Sequence, residues 1–336
     1  MKKSLLYLLI LLSSLQISAQ DTFSIIAVDT LTGEIGGAGA SCIDENAIPT
    51  GVLIINDIIP NRGGIHTQAY WNSTNQQNAR NRMLEWLSPE EIIDWLVAND
   101  VQNNPTIRQY GVVDFEPVGT GARSAAHTGA NCNDYKDHIT GPNYAIQGNI
   151  LLGQHILDSM EARFLNTPGT LAEKLMASLQ GANVPGADTR CLNEGVSSLS
   201  AFVRVWRPDD PAGTYWCDLL VPSTPYGVEP IDSLQVLFDE WLIWTGTSDK
   251  PYVQPNRLKI YPNPALDQIT IEISKAEGKQ YTVQVYSMSG FVMDELIYKG
   301  EPILLNTVEY QPGIYLCKIL SKDMVLDVSR FSILRE

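Results

Sequence analysis

The sequence has little positive charge. Its 336 residues include 23 Lys and Arg against 38 Asp and Glu, a formal net charge of −15. Residues 257–336 carry 9 of the bases and 10 of the acids, so nearly all of the excess negative charge lies before residue 257. Phosphate backbones and anionic lipid surfaces are bound through clustered cationic side chains. We therefore expect neither nucleic acid nor an anionic membrane surface as a partner.

Long apolar runs are also scarce. Beyond residue 20 no segment approaches 18 consecutive apolar residues, so no transmembrane anchor is expected. Near the start, Lys2 and Lys3 precede an apolar stretch from Leu5 to Leu15, and the small residues Ser18 and Ala19 follow. This order is typical of a cleaved secretory signal, which we assign to residues 1–20.

Cysteines are few, and their pairing is open. Of the five, Cys317 lies near the end of the chain, and the other four could form two disulfides with three connectivities. Those four are Cys42, Cys132, Cys191 and Cys217. A metal site is the alternative for one group of residues, but their spacing matches no structural zinc pattern and lacks a close cysteine pair. The group is His127, Cys132, Asp134, Asp137 and His138. We expect no metal and no cofactor.

Hydrophobic periodicity indicates an α+β domain at 21–247. The predicted strands are 22–28, 34–41, 51–55, 65–69, 110–114, 122–127, 144–151, 199–206 and 216–220. The predicted helices cover 76–87, 155–164, 171–180 and 231–244, with a further helix beginning at Ser88. Ser88, Pro89 and Glu91 form a capping-box pattern at its start. This order fits two stacked sheets, each covered by helices, a four-layer αββα sandwich; a two-layer α+β domain is the alternative.

Several predicted strands carry segments that together resemble one bacterial family, the domain of unknown function 1028. The segments are Thr22-Phe23-Ser24-Ile25-Ile26-Ala27, Gly33-Glu34-Ile35-Gly36 with Ala40-Ser41, Thr67-Gln68-Ala69, Gly111-Val112-Val113-Asp114, Ala125-Ala126-His127-Thr128-Gly129, and Tyr144-Ala145-Ile146-Gln147-Gly148-Asn149-Ile150-Leu151. The resemblance runs from about Thr22 to Pro230. It implies an N-terminal nucleophile (Ntn) hydrolase-like αββα fold, and cell-wall amides as one substrate class.

Thr22 is the candidate nucleophile under this resemblance. In an Ntn enzyme the first residue of the mature chain attacks an amide, and its own α-amine accepts the proton. Here Asp21 precedes Thr22, so a signal peptidase that cuts after Ala19 leaves two residues in front of it. The first lysine after Lys3 is Lys136, so no lysine near Thr22 along the chain is available to assist it. The alternative is an ordinary first strand whose threonine faces a neighbouring strand.

Other candidates have roles beside Thr22. Asn149 could donate to a tetrahedral oxyanion, as could Gln147, or both could be polar residues that end a buried strand. His127 could be a general base for Ser41 or for water, or a structural histidine. Thr67 is a further predicted substrate contact. Asp188 and Arg190 could bind a substrate carboxylate, or they could simply pair with each other.

The C-terminal residues have a different pattern. Pro251 and Pro255 indicate a linker at 248–256, and short alternating segments with turns at Ser289-Gly290 and Gln311-Pro312-Gly313 predict a small all-β sandwich at 257–336. The Tyr261-Pro262-Asn263-Pro264, Val285-Tyr286 and Pro312-Gly313-Ile314-Tyr315 segments resemble the type IX secretion C-terminal sorting domain of Bacteroidota. That resemblance implies the type IX machinery and a sortase as partners, and a secreted or surface-attached product. The alternative is a sandwich that binds a surface polymer.

Two hypotheses about function result. One is a secreted or cell-surface Ntn-type amidohydrolase whose substrate is a small or cell-wall-related amide. The other is a non-catalytic surface binding protein that has kept the fold. The position of the mature N-terminus discriminates between them, because only a chain beginning at Thr22 has the α-amine base.

Overall fold

The computed structural model describes residues 22–211, 213–245, 258–273, 280–287, 291–321 and 324–334. The predicted signal peptide at 1–20, the predicted linker at 248–256 and the predicted turn at Ser289-Gly290 lie outside the described residues.

Two antiparallel sheets form the centre of the N-terminal part. The larger has the order β10-β9-β2-β1-β8-β7 and the smaller the order β3-β4-β5-β6. The strands of the larger sheet are β1 (Thr22–Val28), β2 (Ile35–Ser41), β7 (Asp137–Gly141), β8 (Tyr144–Gly148), β9 (Ser200–Trp206) and β10 (Cys217–Val221). Those of the smaller sheet are β3 (Asn56–Ile59), β4 (Gly63–Gln68), β5 (Gln109–Phe115) and β6 (Ala122–Thr128).

Five α-helices occur in the described part of this region. They are α1 (Ser73–Leu84), α2 (Pro89–Ala98), α3 (Gln154–Asn166), α4 (Leu171–Gly181) and α5 (Pro230–Thr245). The predicted capping box of α2 is confirmed, because the Glu91 backbone N–H donates to Ser88 Oγ (3.3 Å) and the Ser88 backbone N–H donates to Glu91 Oε2 (2.7 Å). These bonds satisfy donors that a helix start otherwise leaves open.

The apolar side chains fall into separate clusters. Ile65 and Val112 of the smaller sheet pack with residues of α1 and α2, among them Met83 and Ile92. On the larger sheet, alternate residues of β1, β2 and β9 pack with α3, α4 and α5. A third cluster, which includes Ile26 and Val113, contains side chains from both sheets. The N-terminal part is thus a mixed helix and sheet structure, as predicted.

One predicted strand is wrong. Residues 51–55 form a 3₁₀ helix, Gly51–Ile55, in place of a strand. Gly51 has a φ of +50°, and its backbone N–H donates to the Ile48 carbonyl (2.7 Å). A Cβ at this position would lie 2.8 Å from Ser200 Oγ, so the turn depends on glycine. Strands β3 and β7 were not predicted, because both are short and carry several polar residues.

The C-terminal part is all-β, as predicted. Its strands are β11 (Leu258–Tyr261), β12 (Gln268–Ile273), β13 (Tyr281–Ser287), β14 (Val292–Tyr298), β15 (Ile303–Asn306), β16 (Gly313–Ser321) and β17 (Met324–Ile333). They form a three-stranded sheet, β11-β12-β15, and a four-stranded sheet, β14-β13-β16-β17. Residues of both sheets, including Ile271 and Val283, share one apolar core.

Candidate functional site: a buried amide cluster beside Thr22

Thr22 is the first residue of β1 and faces the smaller sheet. Successive side chains of a strand point to opposite faces. Phe23 and Ile25 pack in the cluster with α3 and α4, whereas Ile26 packs between the two sheets. Thr22 and Ser24 share the face of Ile26, and both are fully buried.

Two of the predicted residues adjoin Thr22. Ser41 is its partner in the β1–β2 register, and such pairs have Cβ atoms about 5 Å apart. On the other side, the Asn149 backbone N–H donates to the Thr22 carbonyl (3.2 Å). Both neighbours are buried. The structure therefore brings Thr22, Ser41 and Asn149 together at one end of the larger sheet.

Side-chain amides from both sheets fill the space next to Thr22. We call this the amide cluster, and it consists of Ser24, Gln68, Gln109, Gln147 and Asn149, each no more than 1% exposed. Gln109 of β5 is at its centre: Gln109 Oε1 accepts from Gln68 Nε2 (2.7 Å) and Asn149 Nδ2 (3.0 Å). Gln109 Nε2 donates to the Gly148 carbonyl (2.8 Å) and to Thr128 Oγ1 (2.9 Å). One side chain thus links both sheets.

The cluster continues back to β1. Gln68 Nε2 also donates to the Thr22 carbonyl (3.0 Å), and Gln68 Oε1 accepts from Ser24 Oγ (2.6 Å). Ser24 Oγ in turn accepts from Gln147 Nε2 (2.6 Å). A Cβ on Gly111 would lie 2.1 Å from Gln147 Oε1, so glycine at this position makes room for the amide. The Thr22 carbonyl is therefore held by the Gln68 side chain from the smaller sheet and by the Asn149 backbone N–H.

His66 adds an uncharged ring next to the cluster. Asn56 Nδ2 lies 2.9 Å from His66 Nε2, and Gln147 Nε2 lies 3.5 Å from His66 Nδ1. Burial lowers the pKa of His66 to about 3, because the interior disfavours the charged imidazolium. His66 is therefore neutral at physiological pH.

Left-handed backbone marks two strand ends at this site. Ala69 and Tyr70, just after β4, both have a φ of 50°, and Ile150, just after β8, has a φ of 53°. Such angles are uncommon for residues other than glycine and cluster at functional sites. The buried Arg108 guanidinium donates to the Tyr70 carbonyl, which fixes the first of these turns. The strained turns support the view that this end of the sheets is functional.

Arg108 is itself held by a buried carboxylate. Arg108 Nε donates to Asp100 Oδ2 at 2.8 Å, and Asn75 Nδ2 donates to the same oxygen at 2.6 Å. Burial acts to raise the pKa of Asp100, but the hydrogen bonds from Arg108, Asn75 and the backbone N–H groups of Asn104 and Gln102 together lower it to about 2. Asp100 is therefore a carboxylate that orients Arg108.

Asp188 and Arg190 pair with each other. Arg190 Nη2 and Nε donate to the two oxygens of Asp188, at 2.6 and 3.0 Å. The buried Asp188 also accepts from the Cys42 backbone N–H (3.1 Å), directly after Ser41. Of the two predicted alternatives, the geometry therefore favours mutual pairing over capture of a substrate carboxylate.

A single disulfide, Cys42–Cys191, occurs among the described residues. Its Cα atoms are 5.9 Å apart, and it joins the end of β2 to the segment after Asp188. A second disulfide between Cys132 and Cys217 does not form, because Cys132 Sγ contacts the Arg108 carbonyl (3.3 Å) whereas Cys217 is buried against the α5 side of the larger sheet. Burial raises the pKa of the Cys217 thiol, which makes it unreactive.

Two predicted residues lie away from the cluster. His127 stacks on Tyr110, with centroids 6.0 Å apart, and its Nε2 lies 3.3 Å from the Pro105 carbonyl. Tyr110 belongs to the cluster packed with α1 and α2, so His127 is on the opposite face of the smaller sheet from Ser41. Thr67 is Tyr110's partner in register and shares that face. The structure therefore does not place His127 next to Ser41, and it does not place Thr67 next to Thr22.

Gln68 and Gln109 belong to the amide cluster but were not among the site residues predicted from the sequence. Gln68 lies in the Thr67-Gln68-Ala69 segment, but alternation along β4 directs Gln68, and not Thr67, toward Thr22. Gln109 lies just before the predicted strand at 110–114. A long amide side chain at an inward position of a buried strand is the signal that could have identified both.

In the described part of the chain, no group of three or more His, Cys, Asp or Glu side chains is arranged to hold a metal ion.

The chain has a mixed helix and sheet fold with a buried amide cluster. Comparison with known protein families identifies the family to which it belongs. The sequence model described as "Family of unknown function (DUF1028)" matches residues 22–232, so the chain belongs to this family. The chain is similar to the solved structure of protein SPO2555 from Silicibacter pomeroyi, described with the same family, at 24% identity and a TM-score of 0.52. The match covers 69% of this chain and 91% of that one, and it shows a shared fold. No curated protein matches the chain.

The C-terminal part has a separate match. Residues 259–331 match the secretion system C-terminal sorting domain. This domain indicates a protein that is handled by the type IX secretion machinery, secreted and attached to the cell surface. Within the residues that the structure describes, no helix is long and apolar enough to cross a membrane.

Proposed function

We propose that this protein is a secreted or cell-surface amidohydrolase of the Ntn type, built on an αββα sandwich, with Thr22 as its nucleophile. The observation that carries the proposal is the position of Thr22, which begins β1 and faces a buried cluster of side-chain amides. Farther from Thr22 an apolar cluster that includes Ile26 and Val113 lies between the sheets. Buried polar groups are retained at a cost, so a concentration of them beside one strand end favours a functional role.

The proposed reaction begins after processing exposes Thr22. Thr22 Oγ attacks the substrate carbonyl carbon while the Thr22 α-amine accepts the hydroxyl proton. The oxyanion that forms is stabilised by nearby N–H groups. The candidates are the second protons of Asn149 Nδ2 and Gln147 Nε2, because each amide already donates one proton within the cluster. The amine then passes the proton to the departing nitrogen, and the C–N bond breaks to leave an ester on Thr22. Water hydrolyses that ester and regenerates the hydroxyl.

Other side chains position this chemistry. Ser41 adjoins Thr22 across the ladder, and Gln68 holds the Thr22 carbonyl. The Asp188–Arg190 pair and the disulfide hold the chain that follows Ser41. The neutral His66 and the uncharged amides leave the α-amine as the group best suited to exchange a proton beside Thr22.

We further propose that the sorting domain is removed during export by a sortase of a Bacteroidota-type pathway, and that the rest is attached to the cell surface. The substrate would then be an amide outside the cell, such as one in cell-wall material. The strongly acidic N-terminal part suits neutral or cationic substrates better than anionic ones.

The alternative is a binding protein without catalysis. Asp21 in front of Thr22 favours it, because cleavage after Ala19 would leave the threonine without a free amine. In that case the amide cluster would serve recognition alone.

A fluorescent β-lactone tests the proposal without knowledge of the substrate. Its ring opens when a nucleophilic hydroxyl attacks its carbonyl, so the enzyme gains the whole mass of the reagent as an ester. We expect labelling of a chain that begins at Thr22, retention in Thr22→Ser and loss in Thr22→Ala, with the adduct mapped to residue 22 by peptide mass spectrometry. Labelling that persists in Thr22→Ala would contradict the proposal.

A further inference from the structure

The orientation of the Gln109 amide is fixed by backbone carbonyls. Its Nε2 faces the carbonyl oxygens of Gly148 (2.8 Å) and Asp137 (3.1 Å), which can only accept hydrogen bonds. The NH₂ group of Gln109 must therefore be on that side. Its Oε1 must then face Gln68 and Asn149, and both of these have to donate to it.

This orientation determines that of Asn149. Because Asn149 donates to Gln109 through Nδ2, its Oδ1 points away from Gln109. Asn149 Oδ1 is buried and accepts no hydrogen bond. A reversed amide would place two oxygens against each other at about 3 Å, so exchanging the two ends of the side chain cannot satisfy it.

A second open acceptor follows along the other branch of the cluster. Gln68 Nε2 faces the Thr22 carbonyl and Gln109 Oε1, so Gln68 Oε1 must accept the single proton of the Ser24 hydroxyl. Ser24 Oγ then has to accept from Gln147 Nε2. Gln147 Oε1 therefore points over Gly111, buried and without a donor.

The two open oxygens lie on one face of one chain segment. Gln147 and Asn149 are two residues apart, so their Cα atoms are separated by about 7 Å along the strand direction. Leaving a buried acceptor without a donor costs about 1–3 kcal/mol, and folded proteins normally supply a partner. Beyond the strained turn at Ile150, the chain reaches the surface at Leu152, which is 45% exposed.

We propose that Asn149 Oδ1 and Gln147 Oε1 bind the N–H donors of a small neutral ligand that carries a primary amide. An N–H donor is the group that an open acceptor requires. The cluster contains no charged side chain, so an ammonium group would be buried without a counter-charge and a carboxylate would face two oxygens. This inference rests on the proposed site and adds the class of ligand, with Asn149 as its specificity-determining acceptor.

Binding of three matched probes to the mature full-length protein tests this inference. The probes are propionamide, propionate and propylammonium, measured at pH 7 by chemical-shift titration and by the rise in melting temperature. We expect propionamide to bind at least tenfold more tightly than either charged probe. Asn149→Leu should weaken it at least tenfold, whereas Asn166→Leu, at an exposed position on α3, should leave it unchanged. Asn149→Ser serves if the leucine variant does not fold.

The outcomes separate this inference from the proposed function. Equal binding of the three probes, or propionamide binding that Asn149→Leu and Asn149→Ser both leave unchanged, overturns the inference even if Thr22 is labelled by the β-lactone. Amide-selective binding that depends on Asn149 supports it even if Thr22 is never labelled, and would then favour the binding protein over the enzyme.

Discussion

Replacing Gln109 by leucine tests the role of the amide cluster in holding the two sheets together. The substitution keeps a side chain of similar size but removes an amide that takes part in five hydrogen bonds. Asn149 Nδ2 loses its acceptor and the Gly148 carbonyl loses a donor. Two buried groups without partners cost about 2–6 kcal/mol together. For a domain of this size that corresponds to a fall in melting temperature of about 5–20 °C.

The assay is thermal unfolding followed by circular dichroism. Gln77→Leu is the matched control, because Gln77 is exposed on α1 and its amide bonds only to the neighbouring Asn81 side chain at 3.0 Å. We expect the control to unfold within about 2 °C of the wild type, since exposed substitutions usually change stability by less than 0.5 kcal/mol. If Gln109→Leu unfolds at the wild-type temperature, the amide cluster does not stabilise the packing of the two sheets.

Three further perturbations test other parts of the structure. Gly37→Ala places a Cβ 2.5 Å from His66 Nε2 and should cost about 1–3 kcal/mol in urea unfolding, whereas an unchanged midpoint would contradict the packing. Removing the disulfide with Cys42→Ser and Cys191→Ser releases a loop of 149 residues, with an expected loss of up to about 5 kcal/mol; insensitivity of the wild type to reductant would refute this. Because the pKa of Asp100 is lowered to about 2 in the folded protein, its carboxylate stabilises the fold above pH 4, and this contribution is lost as the pH falls toward 2. Asp100→Asn should therefore flatten the plot of unfolding free energy against pH in that window.

Local patterns in the sequence predicted most elements of the fold. The capping box at Ser88 located the start of α2, because its hydrogen bonds involve residues only three apart. The prediction of a strand at Gly51–Ile55 was wrong, because a run of apolar residues does not reveal the positive φ of Gly51. The absence of the Cys132–Cys217 disulfide depends on which face of the fold each thiol occupies, which spacing alone does not contain.

The candidate site was predicted only in part. Thr22, Ser41 and Asn149 come together because β1 pairs with both β2 and β8. Gln109 was missed because its role comes from the stacking of two sheets, where residues far apart in the chain meet. The position of His127 could not be predicted for the same reason, because its neighbours in sequence do not indicate which face of β6 it occupies.

The identity of the first residue of the secreted protein decides whether Thr22 can act as an N-terminal nucleophile. The measurement is mass spectrometry of the N-terminal peptide of protein recovered from the native cell surface or culture medium. We expect a chain that begins at Thr22 with a free α-amine. A chain that begins at Gln20, as glutamine or pyroglutamate, or at Asp21, would contradict it, because Thr22 would then have no amine to accept its proton.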